Sequence, residues 1–361
     1  MQPVRLDVHA GTGSYAVLLG SGLTDRLGEI FDDHAVGPRR FVVTNPVVWR
    51  FHGERIAQAL PAAEIIQVPD GERHKHLASV ARIYDALVRG RADRGSVVVA
   101  VGGGVIGDMA GFAAATYLRG IAVVQVPTTL LAQVDASIGG KVGVNLPSGK
   151  NLVGSFHPPR LVVTDPQVLR TLSRREFRAG LYEVVKYGMA CSASLFSQLQ
   201  AESKRLANPA SDALEPIIAE CCRIKAAVVS ADEREAGPRR VLNFGHTAGH
   251  AIEAITGYRR FRHGEAVGWG MLVAARLAVM RGMLLRDAAA ALESLVMALG
   301  PLPHIADLPA SQLIEGMRRD KKMVDGTLHV VLPTGIGTST VADDVSEEEF
   351  ADALRRVGFA G

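Results

Sequence analysis

A chain of 361 residues with 48% hydrophobic and 21% charged residues has a globular balance and is too long for one compact core of ordinary size, so two domains are expected. No apolar run approaches the roughly 18 residues of a membrane span, and residues 1–20 lack the basic, apolar and small-residue order of an export signal. A net charge of +3 with 5% aromatic residues argues against a nucleic-acid partner, so the expectation is a cytoplasmic protein with neither a membrane nor a nucleic acid as partner. Cys191 and the adjacent Cys221 and Cys222 support neither a disulfide framework nor a cysteine-based zinc site.

In chain order, residues 4–20 read as an antiparallel hairpin turning at Gly11 to Ser14, placed at a sheet edge. The runs 41–44, 64–68, 96–101 and 122–126 are rich in Val and Ile, as strands buried on both faces are, and 46–60, 74–90 and 104–117 suit the crossover helices between them. Beyond residue 173 helical periodicity takes over at 174–189, 194–206, 210–230, 240–257, 264–282 and 286–298, with a small hairpin at 326–340. The predicted organisation is an α/β nucleotide-binding domain over 1–173 and a mainly α-helical domain over 174–361.

Directly after the strand 96–101 comes Gly102-Gly103-Gly104-Val105-Ile106-Gly107-Asp108, a GxGxxG through Gly102, Gly104 and Gly107. Glycines at a strand-to-helix turn let a pyrophosphate approach the backbone and meet the helix N-terminus. The same glycines also suit a merely tight turn. The next strand ends at Gln125 to Val126 without an acid for a ribose, so this is not the usual Rossmann fingerprint, although Thr128 and Thr129 add hydroxyls at the same sheet edge. Gly149-Lys150-Asn151 lacks the spacing and the Ser or Thr of a P-loop.

Asp135 to Gly154 embeds Lys141, Lys150 and Asn151 among glycines, a pattern that suits an anion, although taken alone a solvated loop is the better reading. Glu183 and Lys186 share a helix face at i, i+3, which taken singly is more often a surface ion pair. His246 and His250 lie one turn apart, and His263 opens the following helix pattern. Such a pair alone is more often an ordinary core or surface feature. Thr247 stands where HExxH would need its glutamate, so a metalloprotease is a poor reading. With Glu183 as an oxygen ligand, however, the histidines would form a metal set with open positions for substrate.

Taken together and in register, DGERHK (70–75), GGGVIGD (102–108), PTT (127–129), DASIGGKVGVN (135–145), GKN (149–151), Glu183 to Lys186, DERE (232–235), LNFGHTAGH (242–250) and HGEAV (263–267) closely resemble the 3-dehydroquinate synthase family of sugar-phosphate cyclases. The resemblance spans nearly the whole chain. It implies an NAD-binding α/β domain, a helical domain, an active site between them, one divalent metal (zinc or cobalt) and a homodimer. Carried onto matching positions, it makes Glu183, His246 and His263 the metal ligands. Lys141, Lys186, Asn243 and His250 are then expected to be catalytic, in the phosphate and proton-transfer environment with Asn151 and Lys321, the latter taken from the pair Lys321-Lys322. Lys225 and Arg239 are expected on a substrate carboxylate, Asp135 on a hydroxyl, and Arg119 on the phosphate of the neighbouring subunit. NAD contacts are expected at Asp70, Glu72, Lys75, Gly104, Val105, Gly107, Asp108, Thr128, Thr129, Lys141, Lys150, Leu169 and Thr171. Asn45 departs from the family pattern, where Asp is common.

The implied reaction turns 3-deoxy-D-arabino-heptulosonate 7-phosphate, a sugar-acid phosphate, into 3-dehydroquinate and phosphate by transient oxidation, β-elimination, reduction and aldol closure, with NAD unchanged at the end. Two rivals share the scaffold. Cyclases acting on sugar phosphates without a carboxylate would have no use for Lys225 with Arg239, and a metal-dependent polyol dehydrogenase would turn over NADH. A nucleotide-binding regulator without catalysis would not need the Lys, Asn, Glu and His assembly.

Overall fold

The β-branched runs of the first half become a sheet with both faces covered. In the computed structural model, which describes residues 3–11, 13–235, 237–318, 323–324 and 327–361, the chain divides into two units: Met1–Ser173 with Leu214–Arg234, and Arg174–Ala213 with Glu235–Gly361.

The first unit opens with the hairpin β1 (Val4–Ala10) and β2 (Gly13–Leu19), then α1 (Leu27–Asp33), β3 (Arg40–Thr44), α2 (Pro46–Ala59) and β4 (Glu64–Gln67). It continues through α3 (Leu77–Arg89), β5 (Val97–Gly102), α4 (Gly104–Thr116) and β6 (Ala122–Pro127) to a separate hairpin, β7 (Lys141–Leu146) with β8 (Gly149–Phe156), and ends in β9 (Leu161–Thr164). Among the described residues the main sheet has the order β1-β2-β9-β6-β5-β3-β4, parallel throughout except for the β1–β2 edge pair. Alternation explains the double burial. Phe41, Val43, Val98 and Ala100 point into one core with α3 and α4, while Val42, Val97, Val99 and Val101 point into the other with α1 and α2.

Chain order within this sheet locates the ligand edge. From β3 the chain moves outward to β4, then returns to the other side of β3 as β5 and proceeds away through β6 and β9. The direction therefore reverses between β3 and β5, and open α/β sheets bind ligands at the strand carboxyl ends beside such a reversal. Asn45 follows β3 there, and the glycine loop follows β5.

Two strand assignments differ from expectation. The Lys- and Gly-rich stretch expected as a loop is the β7–β8 hairpin, because Val142 and Val144 alternate into the α4 core despite the glycines between them. The four-residue run of β9 is also a strand, paired with both β2 and β6.

After α5 (Arg174–Cys191) and α6 (Ala193–Glu202), α7 (Leu214–Ala231) belongs to the first unit, where it packs on β1 and on the turn at 132–136. A single cut after residue 173 therefore misplaces this helix. The second unit continues with α8 (His246–Ile255), α9 (His263–Met280), α10 (Arg286–Ala298) and α11 (Ala310–Arg318), then the short strands β10 (Met323–Val324) and β11 (Thr327–Leu328). It closes with the hairpin β12 (Val330–Gly335) and β13 (Thr338–Ala342), and α12 (Glu347–Val357). The helix expected over 240–257 is broken by Gly245, which takes φ +79 and lies against Met271 and the Val267 carbonyl, so a 3-10 turn at Pro238–Asn243 precedes α8. The last hairpin turns at Gly337, φ +84, two residues later than the Pro333 to Gly335 signal suggests. Among the described residues no helix is long and apolar enough to cross a membrane, and Cys191, Cys221 and Cys222 are free thiols.

Candidate functional site

In the second unit, glycines let three helices approach until their backbones touch. A Cβ on Gly264 of α9 would lie 1.8 Å from the Ala179 carbonyl oxygen of α5, and one on Gly249 of α8 would lie 3.2 Å from the Ala266 carbonyl of α9. Ala179 sits one helical turn before Glu183, and Gly264 directly follows His263, so this contact sets the histidine beside the carboxylate. His263 Nε2 is 3.5 Å from Glu183 Oε1, and His246 Nε2 is 3.9 Å from the same oxygen.

His246, His250 and His263 each offer a ring nitrogen, all within 4.8 Å of one another. A backbone carbonyl orients one of them and a buried carboxylate another. His246 Nδ1 faces the Phe244 carbonyl at 3.2 Å, and a carbonyl only accepts, so Nδ1 carries the proton and Nε2 keeps its lone pair. His263 Nδ1 likewise donates to Glu253 Oε2 at 3.0 Å.

Glu183 is fully buried, and neither carboxylate oxygen completes a hydrogen bond. Burying a carboxylate in this way is costly unless charge compensates it. Lys186 Nζ, itself 1% exposed, stands 2.6 Å from Oε2, while Oε1 faces the histidines. The pair that its spacing alone would put at the surface is thus among the most buried in the molecule. One carboxylate oxygen with imidazole nitrogens is a donor set suited to zinc or cobalt, so these residues fit a divalent ion. Nearby in sequence, Asn243 donates through Nδ2 to Glu235 Oε1, and Arg239 is buried. Lys321 lies outside the described residues.

The carboxyl edge of the sheet collects the nucleotide candidates. Asn45 caps α2 by accepting the Val48 N–H at 2.8 Å and donates through Nδ2 to Asp70 Oδ1 at 2.8 Å, which ties the end of β3 to the segment after β4. Of the three motif glycines, two are needed for packing: a Cβ on Gly102 would meet Ile106 at 2.6 Å, and one on Gly107 would meet Gln125 Oε1 at 2.8 Å. Gly104 has only Ala136 nearby, at 3.3 Å, and begins α4 with no side-chain cap and no acid in its first turn. Its N–H groups and dipole suit a phosphate. Val105 is half-buried beside it, Thr129 is half-buried, and Thr128 Oγ1 is buried without a hydrogen-bond partner. The edge therefore fits a dinucleotide.

Lys75 pairs with Asp108 and also donates to Asn151 Oδ1 at 2.6 Å. Burial works against its charge, but Asp108 and Glu72 more than offset this and hold the ammonium above its ordinary value. Lys150 Nζ is 3.7 Å from Glu72 Oε1. Thr171 Oγ1 is 2.8 Å from His52 Nε2, whereas the Leu169 side chain is fully buried and offers no surface.

Two further groups are prepared in the first unit. Asp135, in a π-helical turn at 132–136, lies 2.5 Å from Lys225 Nζ of α7. Lys141 is exposed at the start of β7, after Gly139 and Gly140 with φ +107 and +65, and the Tyr15 hydroxyl accepts the Gly139 N–H at 2.8 Å. Arg119 is exposed, and both it and Leu118 hold left-handed backbone, φ +68 and +49.

Sequence reasoning missed Glu253, Asn145, His52 and Tyr15. Glu253 left a signal, since it falls at i+3 from His250 and i+7 from His246, on the same face of α8, and Asn145 closes the motif at 135–145.

Residues 65–179 match the family model for the 3-dehydroquinate synthase N-terminal domain, and residues 180–323 match the C-terminal one. The chain is 45% identical to the 3-dehydroquinate synthase of Nostoc punctiforme (strain ATCC 29133 / PCC 73102), over 98% of each. Among solved structures it is similar to ValA, the 2-epi-5-epi-valiolone synthase of Streptomyces hygroscopicus subsp. jinggangensis 5008 with NAD+ and Zn2+ bound, at TM-score 0.88 and 29% identity over 96% of this chain and 97% of that one. It is also similar to 2-deoxy-scyllo-inosose synthase complexed with carbaglucose-6-phosphate, NAD+ and Co2+, at TM-score 0.86 and 26% identity over 98% and 99%.

Proposed function

This chain belongs to the 3-dehydroquinate synthase family, and from that premise we propose how its residues divide the family's chemistry. Its reaction converts 3-deoxy-D-arabino-heptulosonate 7-phosphate to 3-dehydroquinate and phosphate, with NAD and a divalent metal as cofactors. Oxidation at C5, β-elimination of phosphate, reduction at C5 and intramolecular aldol closure leave no net redox change, so the enzyme is a carbon–oxygen lyase.

When bound, NAD supplies a hydride acceptor that returns the hydride within the cycle, and the divalent ion supplies Lewis acidity toward the hydroxyl being oxidised. Glu183, His246 and His263 hold the ion. The supporting observation is the buried Glu183 carboxylate, whose Oε1 faces both histidines without a hydrogen bond of its own. His250 and Lys186 handle protons and phosphate charge with Asn243, Lys141, Asn151 and Lys321. Asp70, Glu72, Lys75, Asp108, Thr128, Thr129, Lys150, Thr171 and the start of α4 (Gly104, Val105, Gly107) hold NAD, with Leu169 restricted to its backbone.

Lys225 and Arg239 take the substrate carboxylate and Asp135 a hydroxyl. Lys225 already faces an acid, Asp135, so a bound carboxylate must compete with that pair or share its ammonium. Arg119 serves the phosphate of a second subunit, which makes the working form a homodimer, and its left-handed backbone supports a preset conformation. The cytoplasm is the compartment that suits a small-molecule cyclase of this kind.

Phosphate release from the heptulosonate phosphate, followed beside absorbance at the NADH band, tests the reading. Many turnovers are expected on enzyme-bound NAD with no accumulating NADH. Sustained NADH production in step with product would overturn it in favour of a polyol dehydrogenase. Sedoheptulose 7-phosphate, which lacks the carboxylate, is expected to cyclise poorly, and efficient turnover of it would instead indicate another cyclase branch.

A further inference from the structure

Asn145, near the end of β7, has no place in the assignments above, yet it joins three of the residues in them. Its backbone N–H donates to the Lys75 carbonyl at 2.8 Å, its Nδ2 donates to Glu72 Oε1 at 2.8 Å, and its Oδ1 accepts the Asn151 N–H at 2.9 Å. Asn151 Oδ1 in turn accepts from Lys75 Nζ at 2.6 Å, so Lys75, Asn145 and Asn151 close a ring of hydrogen bonds.

The hairpin explains why that ring forms. Val144 pairs with Val153 but Leu146 pairs with Gly149, so one residue of β7, Asn145, stands opposite three of β8, Lys150 to Leu152. Such a bulge takes backbone groups out of the ladder and re-aims side chains. Here it pushes Lys150 and Asn151 out of register and leaves Asn151 with φ +51, a conformation that costs a non-glycine residue energy unless it is held. The Asn145 amide holds it. Only a side chain that donates and accepts at once can serve Glu72 and Asn151 together; aspartate would keep the acceptor but set a second carboxylate against Glu72.

We propose that Asn145 is a positioning residue that couples the cofactor and substrate subsites, fixing Glu72 and Lys75 on the NAD side in register with Asn151 on the substrate side. The inference rests on the functional reading given above. Ordering either partner orders the other through the ring, and such coupling is reciprocal.

Two variants and two readouts test it: calorimetric titration with NAD+, and KM and kcat for the heptulosonate phosphate, with thermal midpoint and metal content as controls. Asn145→Ala should weaken NAD+ binding by about tenfold, the effect of losing one hydrogen bond to a charged group, and raise the substrate KM by about fivefold, that of losing a neutral one. Asn145→Asp keeps the acceptor for Asn151, so it should weaken NAD+ binding at least as much while changing the substrate KM by less than about threefold. Metal content should not change. Unaltered NAD+ affinity in both variants overturns the proposal. So does a loss in both that merely follows a lowered thermal midpoint. If the wild type releases no phosphate, the functional reading falls, while the NAD+ titrations still decide whether Asn145 sets that subsite.

Discussion

The two candidate sites are held together in opposite ways. In the second unit the metal set sits on three helices whose backbones touch at Gly264, Gly249 and Gly245, so its geometry depends on volume. In the first unit the nucleotide edge is assembled from loops after strands, and hydrogen bonds among Asn45, Asp70, Glu72, Lys75, Asn145 and Asn151 set its geometry. Glycines are tight in the motif there too, but at Gly102 and Gly107 the obstruction is a side chain, Ile106 or Gln125, and not the backbone of another element. One site should therefore break on added size and the other on lost polarity.

The largest expected effect tests the first half of that contrast. Gly264→Ala puts a methyl group into the Ala179 backbone, and neither helix can relieve the clash by turning a side chain. Separating α5 from α9 should cost about 3 kcal/mol or more, at or above the upper end for overpacking. It also carries His263 away from Glu183. Metal analysis and urea unfolding should show both losses together. A variant that keeps its metal and its stability would mean that helix contact does not set the pocket.

Glu253→Gln is expected to do less, because it keeps an acceptor for His263 Nδ1 and removes only the charge behind it. Carboxylates behind a ligating histidine fix its tautomer and raise its basicity, and their loss weakens metal binding by about 10- to 100-fold. Competition with a chromophoric chelator reads this directly. An unchanged dissociation constant would reduce Glu253 to a packing role.

The contrast also explains what could be read from the chain. The parallel strands were legible because Phe41 to Val43 and Val97 to Val101 are buried on both sides and so form continuous apolar runs. The β7–β8 hairpin was not, since its exposed face carries Lys141, Asn145, Lys150 and Asn151 and its glycines remove the alternation. Nor does an i, i+3 spacing say whether Glu183 and Lys186 are wet or dry, because burial comes from the other helices closing over them. The assignment of α7 to the first unit depends on the same kind of distant contact, with β1. Motif resemblance could assign roles to Glu183, His246 and His263, but only the crossing at Gly264 explains why they meet.

The smallest expected effect concerns a polar link in the first unit. Thr171 Oγ1 donates to the Val168 carbonyl at 3.0 Å, so its hydrogen is committed and it must accept from His52 Nε2–H. That leaves Nδ1 of His52 bare, buried and without a hydrogen-bond partner. Burial first, and then the nearby Arg55 charge, hold this imidazole below its ordinary value, with Asp165 pulling weakly the other way. The sign of the linkage follows. Above the unfolded histidine value, near 6.5, neither state carries the proton and His52 contributes no pH dependence. As the pH falls from there toward the lowered folded value, the unfolded chain takes up a proton that the native chain refuses, and stability is lost. His52→Gln can keep a donor to Thr171 but cannot titrate. Unfolding free energies measured at pH 7.5 and 5.5 should therefore fall less steeply in the variant than in the wild type, by no more than one proton's worth of slope. Equal slopes would mean that the folded and unfolded chains take up this proton alike, so that burial and Arg55 do not hold the folded imidazole below its ordinary value.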